Sequence, residues 1–303
     1  MPELPEVETI RTQLADRLIG KEIVDVSVRL PKIFEGDPKK IIGAKITDVL
    51  RRAKIVIIKL DNELNIVVHL KMTGQLVYGE ARTDQGNRGT TGGQGNQIIA
   101  ETISFSQGIP FAGFSLPAKT THVIFELSGG VLFFNDMRQF GWIRIMSNEQ
   151  LAIINEKYGP EPFSKDFTVE HLKKILANWG RPVKLLLLEQ SKIAGIGNIY
   201  ANEALWCAEI SPMHRGRDLV KDHPEKIAQL YECIKKVLEM GLKYGGSSAA
   251  DEAFVNAEGK PGKMQEHFVV YQKNGQMCPR CGGEIKVSRI GGRGTFFCPK
   301  CQK

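Results

Sequence analysis

The chain has 303 residues, 42% hydrophobic and 25% charged, enough for two domains with apolar cores. No apolar run approaches the roughly 20 residues that span a bilayer, and the start MPELPEVETI carries neither a basic nor an apolar signal region, so a cytoplasmic protein without a membrane segment is expected. The net charge of +7 is concentrated: residues 260–303 hold nine Lys/Arg against Glu266 and Glu284, and the rest of the chain is balanced. A basic module on a neutral body suits a polyanionic partner, although a solvated basic tail has the same composition.

Residues 5–18 read as a helix, with Pro5 in its first turn and Val7, Ile10, Leu14 and Leu18 on one face. Strand texture follows. EIVDVSVRL alternates, and AKITDVLRRAKIVIIKL and LNIVVHLKMTGQLVYG are rich in β-branched residues. HVIFEL and VLFFND flank Ser128-Gly129-Gly130, a hairpin signature, and GWIRIM closes the series. The glycine-, Thr- and Gln-rich stretch at about 79–118 reads as a flexible loop or insertion. After Gly159-Pro160-Glu161-Pro162 the spacing becomes helical in HLKKILANW, PVKLLLLEQ, NIYANEALWCAE and PEKIAQLYECIKKVLEMGLKYG. No internal repeat is present.

Cys278 and Cys281 form one CxxC, and Cys298 and Cys301 form another 16 residues later. Four thiolates in that spacing make a closed tetrahedral zinc site, structural because no coordination position stays open. The segment is too short for a core of its own, so the metal supplies folding energy. A disulfide framework is the competing reading, disfavoured without a secretion signal. Cys207 and Cys233, in helical segments, read as small buried hydrophobes. Arg293, among glycines in SRIGGRGTFF, suits either a phosphate contact or a solvated hairpin tip.

Pro2 follows the initiator Met, and loss of Met1 would expose a prolyl secondary amine beside Glu3 and Glu6. By composition alone these acids only complement a helix dipole. The string MPELPEVET is followed, in order, by RRAK (51–54), HLKMTG (69–74), NDMRQFG (135–141), YGPEP (158–162), GIGNIYANE (195–203), EGKPG (258–262) and the paired CxxC with Arg293 between. This series, spread over nearly the whole chain, resembles the formamidopyrimidine-DNA glycosylase family.

The resemblance implies a bifunctional DNA glycosylase and AP lyase of base excision repair, removing oxidised purines such as 8-oxoguanine and formamidopyrimidines. Pro2 would be the nucleophile, forming a Schiff base and cleaving the strand by β,δ-elimination. An α-amino group, with a reference pKa of about 8 against about 10.4 for lysine, is the better poised amine. Glu3 would be the acid/base, with Lys54 and Arg293 completing the catalytic set. His69 and Asn198 would contact phosphates, the latter at a helix start that offers N–H groups to an anion. Met72, Arg138 and Phe140 would fill the void left by the flipped nucleotide. Glu6, Glu203 and Tyr271 would support the site. Residues 247–267 resemble a lid over an extruded purine. Met137, Gln139 and Lys71 depart from the family pattern, which points to a looser Arg138 loop.

The architecture expected is α+β multidomain. It comprises an N-terminal β-sandwich with flanking helices over 1–147, a linker at 148–162, a helical domain with a helix–two-turn–helix over 163–265, and a four-cysteine zinc ribbon over 266–303. One structural zinc, no redox cofactor, a monomer and double-stranded DNA with oxidised bases or abasic sites are expected. The rivals are the sister family endonuclease VIII, which prefers oxidised pyrimidines and where Gly is expected at the place of Leu4, and a non-catalytic DNA-binding scaffold.

Overall fold

The computed structural model describes residues 1–80, 102–248 and 254–303. Helix α1 (Leu4–Leu18) opens the chain, capped reciprocally by Glu3 and Glu6. Two sheets follow. The first has the order β1 (Ile23–Val28), β9 (Thr121–Leu127), β10 (Gly130–Asp136), β6 (Gly74–Glu80). The second has the order β2 (Phe34–Glu35), β11 (Trp142–Ser147), β5 (Leu64–His69), β4 (Ile55–Leu60), β3 (Ile46–Arg52). Alternating residues such as Val56, Ile58, Val68 and Ile66 meet Phe125, Leu132, Phe134 and Leu76 in one core, which the Val7, Ile10, Leu14 and Leu18 face of α1 joins. This is the expected β-sandwich.

Leu4 does not belong to that core. It packs with Ile196, Ile199 and Tyr200 in the core of the helical region, so α1 enters both hydrophobic clusters. That region holds α3 (Val169–Ala177), α4 (Val183–Leu188), α5 (Asn198–Cys207), α6 (Gly216–Asp222) and α7 (Glu225–Lys243). The chain ends in a hairpin of β12 (Lys286–Ile290) and β13 (Arg293–Phe297) beside the four ribbon cysteines.

Three expectations need correction. The stretch 148–162 is not a plain linker: it opens with α2 (Asn148–Glu156), started by a capping box of Ser147 and Gln150. Within 79–118, residues 79 and 80 end β6, and β7 (Ile103–Ile109) and β8 (Gly113–Leu116) form a hairpin on a small cluster with Val77 and Phe133, while 81–101 lie outside the described residues. Cys207 and Cys233 are not separate hydrophobes: packing of α5 on α7 sets their Cα atoms 5.7 Å apart, joined as a disulfide.

Candidate active site

Pro2 and Glu3 are buried at the junction of the sandwich and the helical region. Backbone leads them there. The Leu4 N–H donates to Gly195 O at 3.0 Å. The Glu3 carboxylate then accepts the N–H of Gly197 at 2.6 Å and of Ile199 at 2.9 Å. A Cβ on Gly197 would lie 2.3 Å from the Glu3 carboxyl carbon, and one on Gly195 would lie 2.8 Å from a Leu4 methyl. The glycines of GIGN are therefore required by close approach of the N-terminal segment. The start of α5 does bind an anion, but two of its N–H groups are taken by Glu3 itself. In the full chain the Pro2 nitrogen is an amide, and it becomes a secondary amine only when Met1 is removed.

Burial raises the pKa of the Glu3 carboxyl above the ordinary range, with Lys54 pulling against that rise and Glu6 adding to it. Glu6, fully buried, accepts the Glu3 N–H at 2.8 Å, the Tyr200 hydroxyl at 2.8 Å and the Ser247 N–H at 2.8 Å. It ties α1 to α5 and to the segment after α7. Residues 249–253 of the expected lid lie outside the described residues, and Phe254 and Ala257 return to the sandwich core.

Lys54 lies in the two-residue β3–β4 turn with Ala53, which has φ 53°. That left-handed backbone is held from outside. Glu161 accepts the Ala53 N–H at 2.7 Å and pairs with Arg51 at 2.6 Å and Arg52 at 3.2 Å. Arg51 also pairs with Glu8 of α1 at 2.7 Å, and Arg52 donates to the carbonyls of Tyr158 and Gly159. The RRAK and YGPEP strings are thus one clamp that positions Lys54. His69 ends β5, with the Lys54 and Lys71 charges close to its ring. Burial, then Lys71 and Lys54, lowers its pKa to about 3, so it is neutral at working pH. Its Nδ1 accepts the Lys71 N–H at 3.0 Å, which leaves Nε2–H as the donor.

Met72 and the Arg138–Phe140 loop lie at adjacent strand ends, because Gly74 of β6 pairs with Asp136 of β10. Phe140 is 62% exposed and Met72 is half-buried, so neither is a core residue. The Arg138 loop is tied to Thr73 and Asp136 by hydrogen bonds that do not involve the Met137 or Gln139 side chains. Thr73 Oγ1 bonds to Asp136, and the Arg138 N–H donates to Thr73 Oγ1 at 3.0 Å and Asp136 Oδ1 at 3.2 Å. The Gly141 N–H closes the loop on Asp136 Oδ2 at 2.7 Å. Of seven non-glycine residues with positive φ among those described, Ala53, Lys71, Gln139 and Gln272 each adjoin a candidate residue. Such strain concentrates where a structure holds side chains for function.

Arg293 is exposed at the start of β13. The next carbonyl, Gly294 O, accepts Lys184 Nζ at 2.7 Å and Asn198 Nδ2 at 3.1 Å, and Lys184 also donates to Thr295 Oγ1 at 2.8 Å. Burial, then the Arg293 charge, lowers the Lys184 pKa to about 7, against an opposing pull from Glu3. Lys184 and the Arg51–Glu161 clamp escaped the sequence reading. The only signal for Lys184 was a single charge inside the apolar run of α4.

Glu203 is buried and accepts the N–H groups of Val269, Val270 and Tyr271 at 3.0, 2.9 and 2.8 Å. Burial raises its pKa against those hydrogen bonds. Tyr271 packs edge-on between Phe268 and Phe296, so it braces the ribbon from behind. The sulfurs of Cys278, Cys281, Cys298 and Cys301 all lie within 4.8 Å of one another. The Cys278–Cys301 and Cys281–Cys298 separations, 3.8 and 3.5 Å, are far above a disulfide bond of about 2.05 Å. They fit the edges of a sulfur tetrahedron around one ion with bonds of about 2.3 Å. The all-thiol set suits structural zinc. It lies against the C-terminal end of α5, a ten-residue helix about 15 Å long whose other end holds the Glu3 carboxylate.

Family models match nearly all of the chain. They are the formamidopyrimidine-DNA glycosylase N-terminal domain over 1–143, the formamidopyrimidine-DNA glycosylase H2TH domain over 158–253, and the zinc finger found in FPG and IleRS over 275–303. The formamidopyrimidine-DNA glycosylase of Pelotomaculum thermopropionicum is 39% identical, covering 100% of this chain and 99% of that protein. That of Chloroflexus aurantiacus is 37% identical, covering 100% and 98%. The Lactococcus lactis Fpg in complex with abasic-site DNA superimposes with a TM-score of 0.80 at 32% identity over 99% of both chains. A variant of it with Fapy-dG-containing DNA gives 0.81 at 31% identity over 100% of both. No helix among the described residues is long and apolar enough to cross a membrane.

Proposed function

The chain belongs to the formamidopyrimidine-DNA glycosylase family, enzymes that act on damaged DNA, and from that premise we propose that it is a bifunctional glycosylase and AP lyase for oxidised purines with Pro2 as nucleophile. The observation that carries this reading is the burial of Pro2 beside a Glu3 carboxyl held by the N-terminus of α5, with the Lys54 charge close by. Once Met1 is removed, the prolyl nitrogen attacks the sugar C1′ of the flipped nucleotide, and the base leaves with the bonding pair. Glu3, kept protonated to higher pH by burial, donates a proton that assists opening of the sugar ring. The resulting iminium acidifies C2′. Loss of the C2′ proton and then of the phosphates cleaves the strand by β,δ-elimination, and hydrolysis frees the proline.

The relatives solved with abasic-site and Fapy-dG DNA support the substrate class. Lys54, the neutral Nε2–H of His69, Asn198 and Arg293 are our candidates for the phosphates around the lesion. Met72, Arg138 and Phe140 take the vacated stack, and Glu6, Glu203 and Tyr271 hold the frame. We retain the division into 1–147, 163–265 and 266–303, with α2 inside the connection.

Borohydride trapping tests the chemistry. A covalent adduct with lesion DNA that vanishes in Pro2→Gly and in enzyme retaining Met1 is the expected result. No adduct with the processed enzyme would leave a DNA-binding scaffold. Parallel excision from 8-oxoguanine, formamidopyrimidine and oxidised-pyrimidine duplexes then separates the purine enzyme from its pyrimidine-preferring sister.

A further inference from the structure

Trp206 stands one residue before the end of α5 and is half-buried against the ribbon cluster of Val270, Cys278, Ile285 and Cys298. Its indole Nε1–H donates to Cys278 Sγ at 3.4 Å. The contact is reciprocated from the same zinc knuckle. The Arg280 guanidinium lies 4.1 Å from the centre of the indole ring. It donates to Trp206 O at 3.0 Å and Cys207 O at 3.3 Å, carbonyls of the last helical turn, the first of which also accepts the Glu209 N–H at 3.1 Å. Gln302 fastens the other side, with Nε2 donating to Ile210 O at 2.9 Å and Oε1 accepting the Cys298 N–H at 2.8 Å. The knuckle thus caps the helix, and the helix returns one hydrogen bond to a metal-ligating sulfur.

Chemistry gives that bond a role. Four thiolates around one divalent ion carry excess negative charge. An N–H aimed at one sulfur offsets part of that charge, as does a cation stacked on the donor ring. Groups that hydrogen-bond the ligands of a metal site change its affinity by about 10–100-fold. We propose that the Trp206 indole N–H, supplied by the helical domain, is part of the zinc site and slows release of the ion, so that the metal and α5 are held as one unit.

The test is zinc release from the purified holoenzyme into an excess of a colour-forming chelator. Trp206→Phe keeps an aromatic ring beneath Arg280 and removes the N–H together with one of the two fused rings. Its release should be about tenfold faster than wild type. Trp179→Phe, which loses a bond from Nε1 to Pro182 O at 3.0 Å outside the ribbon, should release zinc at the wild-type rate. A second measurement uses wild type alone. In 15N-labelled holoenzyme the Trp206 indole N–H resonance should shift when zinc is chelated, while that of Trp179 stays in place. This arm decides the matter should Trp206→Phe fold poorly. Wild-type release from Trp206→Phe, or an indole resonance indifferent to zinc, overturns the proposal. Neither readout depends on glycosylase activity.

Discussion

Glu3 accepts the backbone N–H of Gly197 at 2.6 Å, across 194 positions of sequence, so the N-terminal segment and the start of α5 share one hydrogen bond. Gly197→Ala would place a methyl 2.3 Å from the Glu3 carboxyl carbon and must displace it. Overpacking of this kind costs about 1–3 kcal/mol of stability, while a misplaced catalytic group costs roughly hundredfold in rate. The expected variant is folded, binds DNA and excises roughly hundredfold more slowly. Unchanged excision in a single-turnover assay would show that the contact does not position Glu3.

Glu3→Gln keeps the shape and removes the titration. Because the folded carboxyl has a raised pKa, its proton stabilises the fold fully below the ordinary carboxylate value. That contribution is lost as pH rises through the raised value. The melting temperature of wild type relative to Glu3→Gln should therefore fall with rising pH across that window, and a constant difference would contradict the assigned shift. Excision by Glu3→Gln should drop more than DNA binding does.

Much of this was legible in the sequence, for physical reasons. Strands β4, β5, β9 and β10 bury continuous or alternating apolar residues, and α1 shows its stripe of Val7, Ile10, Leu14 and Leu18. Helix α2 has no fully buried residue and α6 only Gly216 and Leu219, so neither offers a periodic pattern. The β7–β8 hairpin does alternate at Ile103, Phe105, Gln107 and Ile109, but glycine and serine density conceals it. Motif residues were legible as strings. Their pairings were not, since Arg51 meets Glu161 across 110 positions and Lys184 meets Gly294 across another 110.

Lys184 is expected to couple DNA binding to proton uptake. With its pKa lowered to about 7, it is largely neutral at pH 8. A phosphate at Arg293 offsets the repulsion between the two cations and favours the ammonium. Wild-type affinity should strengthen as pH falls from about 8.5 towards 7, with proton uptake visible as a dependence of binding heat on buffer ionisation enthalpy. Lys184→Met should lose both effects. Equal pH slopes for the two proteins would refute the linkage.

Met72 and Phe140 stand outside the core, and the Thr73–Asp136 contact holds their loops side by side. The role proposed for them is extrusion, which a preformed abasic site demands less. Met72→Ala and Phe140→Ala should slow excision from lesion duplexes by about tenfold, the scale of one lost apolar wedge. Strand cleavage at an abasic site should change little. Equal losses on both substrates would assign these residues to the elimination chemistry instead.

Arg293 separates electrostatics from folding in the ribbon. It is exposed, while the carbonyl beside it is anchored by Lys184 and Asn198, so Arg293→Ala removes a charge and leaves the hairpin in place. Each phosphate contact contributes roughly one unit to the slope of log K against log salt. The variant should bind lesion and undamaged DNA more weakly alike, with a slope shallower by about that unit. Cys298→Ser goes further. Cys298 is fully buried in the ribbon cluster, and without one of four ligands the metal no longer holds the segment together. Arg293, Gly294 and the Trp206 contact are then lost at once, whereas the sandwich and helical clusters keep their own cores. Circular dichroism should stay near wild type, zinc content should fall, and the loss of salt slope should be at least as large as in Arg293→Ala. An unchanged slope in Arg293→Ala would remove this arginine from the DNA interface. Normal binding by zinc-free Cys298→Ser would remove the ribbon as well.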